Sequence, residues 1–293
     1  MGERTLNNKA LRLSAKEIIK ENKHEILKVF SGIIILLLGI FFLINPLVKD
    51  FIQVIMKSLN LDNKAYALYN ATVNIISVGI SFTISSLIPE FIAVSIALEL
   101  VENNTFSLNS IKLRLNKISN YLYSKLIAIL IQIVWYVILN ISRVALTVVF
   151  LITIASVFSL GGISVTLGVI ENLSFFIFLC TINFIIYANI FSLSFIALDG
   201  ENEFKTRDIY KTYRKIMKKN RFKSFKLIFS FLPMVFILLG LFLIYLCVGN
   251  IISTTIMMIF LGIIGICSIV FYPYILITMA LFYKRIYNYS YFI

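Results

Sequence analysis

The chain has 293 residues, of which 60% are hydrophobic and only 14% are charged. A soluble domain is typically about 45–50% apolar and roughly 25% charged, so a water-soluble globular domain is excluded and lipid must surround much of this chain. The net charge of +13 is compatible with a nucleic-acid partner or with a membrane surface, and the positions of the basic residues distinguish the two.

Six apolar runs follow one another along the chain after a polar segment, 1–28, that carries charges of both signs. A membrane-spanning helix needs about 20 residues at about 1.5 Å each to cross about 30 Å of hydrocarbon. The first run has no small-x-small cleavage pattern, so we expect an uncleaved membrane helix rather than a signal peptide. The predicted spans are 29–48, 68–100, 126–158, 173–198, 226–248 and 251–283.

These runs predict an all-α, polytopic membrane protein in which 1–293 forms a single integral membrane domain. The second, third and sixth runs are too long for straight perpendicular spans, so they must tilt, bend or extend beyond the bilayer. Pro89 and Pro273 lie in two of them. They favour bends, because proline removes a backbone donor and crowds the preceding turn.

The basic residues fall on one side of the predicted spans. Of the 27, seven precede the first span, four lie in 101–125, ten in 199–226 and two after residue 283. Because basic loops stay in the cytoplasm, both termini are predicted to be cytoplasmic. This distribution explains the net charge through topology and attraction to anionic headgroups, so we expect membrane lipids as partners and no nucleic acid.

Three apolar stretches end in nearly the same way: "EFIAVSIAL" (90–98), "IFSLSFIAL" (190–198) and "PYILITMAL" (273–281). Each has an aromatic residue at its second position and ends in Ala-Leu. In the predicted topology they close the second, fourth and sixth spans on the cytoplasmic side. The basic segments 106–118 and 204–216 also align with each other. A unit used three times, a basic cytoplasmic helix followed by a hairpin of two spans, accounts for the pattern.

Three basic cytoplasmic segments carry apolar residues at helical spacing. The stripes are Leu11, Ala15, Ile18 and Ile19, then Leu108, Ile111, Leu115 and Ile118, and finally Ile209, Tyr213, Ile216 and Met217. Short helices of this kind favour the headgroup layer. Alternatively, they bind a soluble partner such as an ATPase subunit. The predicted headgroup or partner contacts are Lys215, Lys218, Lys219 and Arg221.

The segments "KKNRFKSFKLIFSFLP" (218–233) and "YPYILITMALFYKRI" (272–286) resemble the bacterial six-span membrane family of unknown function numbered 975. The shared features are a basic segment, a Phe, a Ser-Phe pair in the next span and a closing Pro-Tyr ahead of Phe-Tyr. They correspond to Lys218, Arg221, Phe225, Ser230, Phe231, Pro273, Tyr274, Phe282 and Tyr283.

This chain departs from that family at two points. "SLGG" (159–162) stands where the family tends to have Ile-Pro-Gly, and no Trp follows the Ser-Phe pair. The resemblance implies a six-span fold in the bacterial cytoplasmic membrane. It implies no reaction, because the family has no established activity.

Polar residues inside predicted spans are candidates for function, since charges are costly there. Arg143 lies in the outer half of the third span, with Asn140 beside it, and Glu171 begins the fourth span from the same side. We expect Arg143 and Glu171 to form an ion pair. The pair either fixes the register of the second hairpin or belongs to a polar path or an anionic-substrate site. Alternatively, Arg143 reaches the outer headgroups.

Glu90 follows Pro89 in the inner half of the second span. Proline frees a backbone carbonyl, and a carboxylate in such a hydrated break suits a proton- or cation-coupled transporter. The alternative is a kink whose Glu90 side chain reaches cytoplasmic water.

Recognisable catalytic motifs are absent from the sequence, and its only histidine is His24. Cys180, Cys247 and Cys267 lie far apart within apolar runs, which favours packing over a disulfide or a zinc site. We therefore expect a non-enzymatic protein with no catalytic residues, no metal site and no cofactor.

The sequence leaves three functions open. The first is a transport or envelope-homeostasis component that handles a lipid, a peptide or another amphiphile. The second is the permease subunit of an ATP-driven transporter. The third is an immunity or scaffold protein that binds a bacteriocin-type peptide or a partner protein. The sequence does not fix the substrate, the energy source or the oligomeric state.

Overall fold

A computed structural model describes residues 8–58, 66–105, 108–135, 138, 186, 190–199, 205–234, 237 and 254–291. Every regular element in these ranges is helical. The helices are α1 (Asn8–Glu21), α2 (Lys23–Ser58), α3 (Tyr66–Asn103), α4 (Leu108–Leu115), α5 (Ile118–Trp135), α6 (Ser192–Leu198), α7 (Ile209–Lys218), α8 (Arg221–Phe229) and α9 (Thr254–Tyr291). A short 3-10 turn, Thr206–Asp208, precedes α7.

Four helices in the described ranges are long and apolar enough to cross a membrane. The segments are Lys23–Ile55 of α2, Thr83–Asn103 of α3, Ile118–Trp135 of α5 and Gly265–Tyr287 of α9. They coincide with parts of the first, second, third and sixth predicted spans. Most of the fourth and fifth predicted spans lies outside the described residues. The prediction of an all-helical chain is confirmed for the described ranges, and these four helices fit a multi-pass membrane protein.

Large apolar side chains are exposed along α2 and α5, and only 17% and 11% of their apolar windows are buried. The exposed side chains include Ile35, Phe42, Leu43, Leu47, Phe51 and Val54 in α2 and Leu122, Leu126, Leu130 and Ile133 in α5. Contiguous apolar surface of this kind marks contact with another protein or with a membrane. Because the hydrocarbon core of a bilayer contains no water, exposing these apolar side chains there has no hydrophobic cost, and the exposure fits helices that face lipid.

Helix α2 continues through Pro46 to Ser58, whereas the sequence predicts that the first span ends at residue 48. Its 36 residues extend about 54 Å at about 1.5 Å each, well beyond about 30 Å of hydrocarbon. Proline removes one backbone donor without ending a helix whose flanks are otherwise favourable. Pro89 and Pro273 likewise lie within the continuous helices α3 and α9.

The chain divides into two compact units. The first comprises Met1–Ile118, Leu198–Glu201 and Ser230–Ile293, and the second comprises Ser119–Ala197 and Asn202–Phe229. In the first unit α2 packs along α3, α9 packs against α1, α2 and α3, and α4 contacts α3.

The core of the first unit lies at the carboxyl ends of α3 and α9. Ala97, Leu98, Ile277 and Ala280 are fully buried there. Small residues such as alanine let neighbouring helices approach closely, which is how helices associate in lipid without a hydrophobic driving force. Two of the three repeated stretches therefore contribute to one core.

A row of small polar residues lies nearer the amino terminus of α3, where Ser77, Ser81 and Ser85 are all buried. Their four-residue spacing places them on one face of the helix. Serines in membrane helices allow close approach and hydrogen bonding between neighbours. We interpret this row as a packing device for the first unit.

The apolar stripes predicted for α1 and α7 are confirmed as helix faces, but they are buried in protein. Leu11 and Ala15 of α1 are fully buried, and α1 packs on α9. In α7, Ile209 and Met217 are buried, and burial raises the pKa of Tyr213 to about 12, against the opposing effect of Arg221. Leu11 and Ala15 of α1 and the whole α7 stripe therefore face protein, whereas Ile18 and Ile19 are half-buried. Contact of these helices with headgroups stays a prediction. Their basic faces remain outward.

Candidate functional site

Three of the predicted polar residues, Arg143, Glu171 and Asn140, lie outside the described residues. Their pairing stays a prediction. Glu90 is half-buried in α3, directly after the buried Pro89. Glu90 is thus neither fully buried nor fully exposed, and its part in proton or cation coupling stays a prediction.

The four predicted headgroup or partner contacts are exposed in the second unit. Lys215 and Lys218 lie on α7, Lys219 follows it, and Arg221 begins α8. Their contact with headgroups or with a partner stays a prediction.

A group of buried and half-buried charged side chains, with one buried tyrosine, lies at the carboxyl ends of α3 and α9, within the first unit. The members of this ion cluster are Glu99 and Glu102 of α3, Arg114 of α4, Lys117 after α4, Asp199 after α6, and Tyr283 and Lys284 of α9. Residues more than 80 positions apart in the sequence meet here, so the fold creates the cluster.

Asp199 is the most buried charge of the cluster, with no exposed surface. Its Oδ1 atom lies 2.9 Å from Nζ of Lys284, and its Oδ2 atom accepts a hydrogen bond of 2.8 Å from the Tyr283 hydroxyl. Nζ of Lys284 also lies 2.7 Å from Oε1 of Glu102. Two consecutive residues of α9 therefore hold both oxygens of one carboxylate.

Arg114 connects α4 to the same network. Its Nη2 atom lies 2.6 Å from Oε2 of Glu102 and 3.8 Å from Oε2 of Glu99. Its Nη1 atom donates to the backbone carbonyl of Leu198, and Lys117 donates to the carbonyl of Asp199. A planar guanidinium suits such a site because it offers donors in several fixed directions.

The charges of the cluster balance. Three carboxylates, those of Glu99, Glu102 and Asp199, equal in number the cations of Arg114, Lys284 and Lys117, of which Lys117 joins through the backbone carbonyl of Asp199. A buried ion is tolerated when its partners satisfy its charge and its hydrogen bonds, and removing one partner leaves an uncompensated charge. The cluster can therefore join the ends of α3 and α9 to α4 and to the segment after α6.

The cluster accounts for the orientation of the second basic helix, whose predicted apolar stripe is exposed at Leu115 and Ile118. Contact of this stripe with headgroups or a partner stays a prediction. Leu115 and Ile118 are 47% and 40% exposed, whereas Arg114 is only 5% exposed. The two acidic residues at the end of α3 draw Arg114 inward, so helix α4 presents Arg114 to the protein and Leu113 and Leu115 outward.

A signal for the cluster is present in the repeated stretches. Glu99 and Asp199 each follow an Ala-Leu pair directly, and Phe282 occupies the same position in the third copy, where Tyr283 and Lys284 come next. The acidic residue after Ala-Leu in two copies indicates a shared site at the helix ends. Read alone, the repeat predicts only architecture, and Arg114 and Lys284 are indistinguishable from the basic residues that set topology.

No group of three or more His, Cys, Asp or Glu side chains in the described ranges has metal-binding geometry. Comparisons with protein-family models, with curated proteins and with solved structures give no match to this chain. The resemblance to the six-span family stays a prediction.

Proposed function

We propose that this chain is a non-enzymatic, six-span component of the bacterial cytoplasmic membrane that handles a lipid, a peptide or another amphiphile in transport or envelope homeostasis. In this proposal the spans form three hairpins, both termini are cytoplasmic, and the ion cluster is a latch that closes the cytoplasmic end of the first unit. The observation that carries it is the buried, charge-balanced network joining α3, α4 and α9.

The chemistry of the network supports a latch rather than simple packing. Well-packed apolar residues often stabilise a protein as much as a buried ion pair does, so ionic groups are a poor choice where stability alone is needed. Charged networks instead specify one arrangement and can be broken when a partner is displaced. A protein that moves an amphiphile across the membrane needs helix ends that close in one defined arrangement and can open again.

The lipid-facing surfaces support an amphiphile as the ligand. Helices α2 and α5 expose long apolar faces, so a molecule dissolved in the bilayer can reach this protein without entering water. Its polar end would then meet the charged groups at the end of α3. The ATP-driven alternative would be favoured if a nucleotide-binding subunit copurified with the chain.

Loosening the latch should change transport. Tyr283→Phe removes one hydrogen bond to a buried carboxylate, an interaction to a charged group worth about 1.5–3 kcal/mol. We expect this variant to speed leaflet exchange of fluorescent phosphatidylglycerol in proteoliposomes by about tenfold over wild type, because about 1.4 kcal/mol corresponds to a factor of about ten. Quenching of the outer leaflet by dithionite measures the rate.

The matched control is Tyr210→Phe. Tyr210 lies on α7, outside the cluster, and its ring stacks on Tyr213, an interaction that phenylalanine retains. This control should exchange lipid at the wild-type rate. If wild-type vesicles exchange neither the lipid nor a labelled amphipathic peptide faster than protein-free vesicles, the proposed function is wrong.

A further inference from the structure

Helix α8 of the second unit has one buried face and one divided outward face. Ser224, Leu227 and Ile228 are buried. The outward face carries aromatic residues along one edge and lysines along the other, as the spacing of about 100° per residue requires. A helix built in this way is typical of the boundary between water and hydrocarbon.

The aromatic edge consists of Phe222, Phe225 and Phe229, three and four residues apart. Phe222 is 78% exposed and Phe229 is 55% exposed, while Phe225 is half-buried. The rings of Phe225 and Phe229 lie 5.9 Å apart between centroids. A row of exposed phenylalanines is unfavourable in water, so it indicates a surface covered by something apolar.

The basic edge consists of Lys223 and Lys226 of α8 together with Lys219 in the turn before the helix, and all three are exposed. It adjoins the aromatic edge along the length of the helix. Lysine stems can lie along apolar surface while the ammonium groups reach polar partners. The covering surface must therefore be apolar and anionic at once.

The charge of the surrounding segment strengthens this requirement. Residues 205–229 contain ten Lys or Arg and a single acidic residue, Asp208, and all ten basic residues are exposed. In contrast, Arg114 and Lys284 of the first unit are neutralised in the ion cluster. Ten like charges in so short a segment repel one another unless anions lie close by.

We propose that the outward face of α8, together with the basic face of α7, binds the headgroups of anionic phospholipids. In this arrangement the ammonium groups contact lipid phosphates, while the rings of Phe222, Phe225 and Phe229 enter the outermost hydrocarbon. Helix α8 leads directly into the fifth predicted span, 226–248, so the chain must meet the membrane surface here. An acidic protein would satisfy the lysines but not the row of phenylalanines. The inference does not depend on the transport function proposed above.

Depth-dependent quenching tests the position of the aromatic edge. The chain has one tryptophan, Trp135, so the double variant Trp135→Phe and Phe222→Trp carries a single probe on α8. In nanodiscs of the full chain, lipids brominated near the glycerol should quench this probe more strongly than lipids brominated at the chain ends. Emission typical of a water-exposed indole, with no quenching by either lipid, would overturn the proposal.

Lipid titration tests the basic edge. The triple variant Lys219→Gln, Lys223→Gln and Lys226→Gln should bind phosphatidylglycerol at least about tenfold more weakly than wild type, because each lysine near an anionic surface contributes about 1 kcal/mol. The matched control is Lys16→Gln, Lys20→Gln and Lys23→Gln, three exposed lysines that lie among Glu17, Glu21 and Glu25. This control should bind like wild type.

The two outcomes that contradict the proposal are distinct. Equal phosphatidylglycerol affinity of the wild type and both triple variants would show that these lysines do not bind lipid. Binding of polyglutamate that depends on the same three lysines, without quenching by brominated lipid, would indicate an acidic protein instead of a membrane.

Discussion

Replacing Asp199 with alanine should lower the free energy of unfolding by about 3–5 kcal/mol, because breaking a buried ion pair leaves its partner uncompensated. Nζ of Lys284 would lose its ion pair with Asp199 while keeping the one with Glu102, and the Tyr283 hydroxyl would lose the carboxylate that accepts its hydrogen bond. Both groups are buried, so water cannot easily replace the carboxylate. Unfolding in mixed micelles, followed by circular dichroism, measures the loss.

Asp50→Ala provides the matched control for this change. Asp50 is an exposed aspartate in α2, and a surface substitution of this kind changes stability by no more than about 0.5 kcal/mol. Equal stabilities of the Asp199 and Asp50 variants would show that the ion cluster does not hold the first unit together.

Arg114→Met should have a comparable effect, about 3–5 kcal/mol, through loss of one of the three cations of the cluster. Methionine can fill the space of the arginine stem, but Glu102 would lose a contact of 2.6 Å and the Leu198 carbonyl would lose its donor. Arg114→Lys should recover only part of the stability, because one ammonium group cannot reproduce the several directed donors of a guanidinium. The same micelle assay compares the variants.

A double-mutant cycle separates the ion pair from other effects of this substitution. Arg114→Met combined with Glu102→Gln should cost less than the sum of the two single changes, since either one already breaks the contact. Leu113→Met is the neighbouring control, because Leu113 is 72% exposed and should change little. Strict additivity of the cycle would contradict a direct interaction.

Composition and periodicity predict much of this fold. The long apolar runs indicate helices in lipid, and the stripes of α1 and α7 identify faces that are indeed apolar and contiguous. What surrounds those faces does not follow from the pattern. An apolar stripe on a basic helix is compatible with packing against protein and with insertion into a headgroup layer. The packing of α1 on α9 shows that this helix contacts protein.

The ion cluster is harder to predict for a physical reason. Lys284 and Asp199 are 85 residues apart, so their contact depends on how separate helices pack, which one sequence does not state. A basic residue at Arg114 is also expected from topology alone, because the cytoplasmic loops of membrane proteins carry an excess of Lys and Arg. A buried partner and a loop charge look the same in the sequence until the fold brings Glu102 beside Arg114.

The carboxyl end of α2 is a further feature that hydropathy alone does not predict. Apolar composition falls near Lys49, so the first span is predicted to end there, yet α2 continues through Pro46 to Ser58. Hydropathy marks where lipid is preferred, whereas backbone hydrogen bonds determine where a helix ends. The two boundaries coincide only when a helix stops at the membrane surface.

Cysteine labelling of intact cells tests the central claim, a membrane-embedded chain whose basic side faces the cytoplasm. Cys180, Cys247 and Cys267 are first replaced by alanine, and Lys211→Cys then places one thiol on the exposed face of α7. We predict that a membrane-impermeant maleimide labels this thiol only after the cells are permeabilised. Labelling of intact cells would place the basic segment outside and contradict the topology, the latch at the cytoplasmic end and the position assigned to α8.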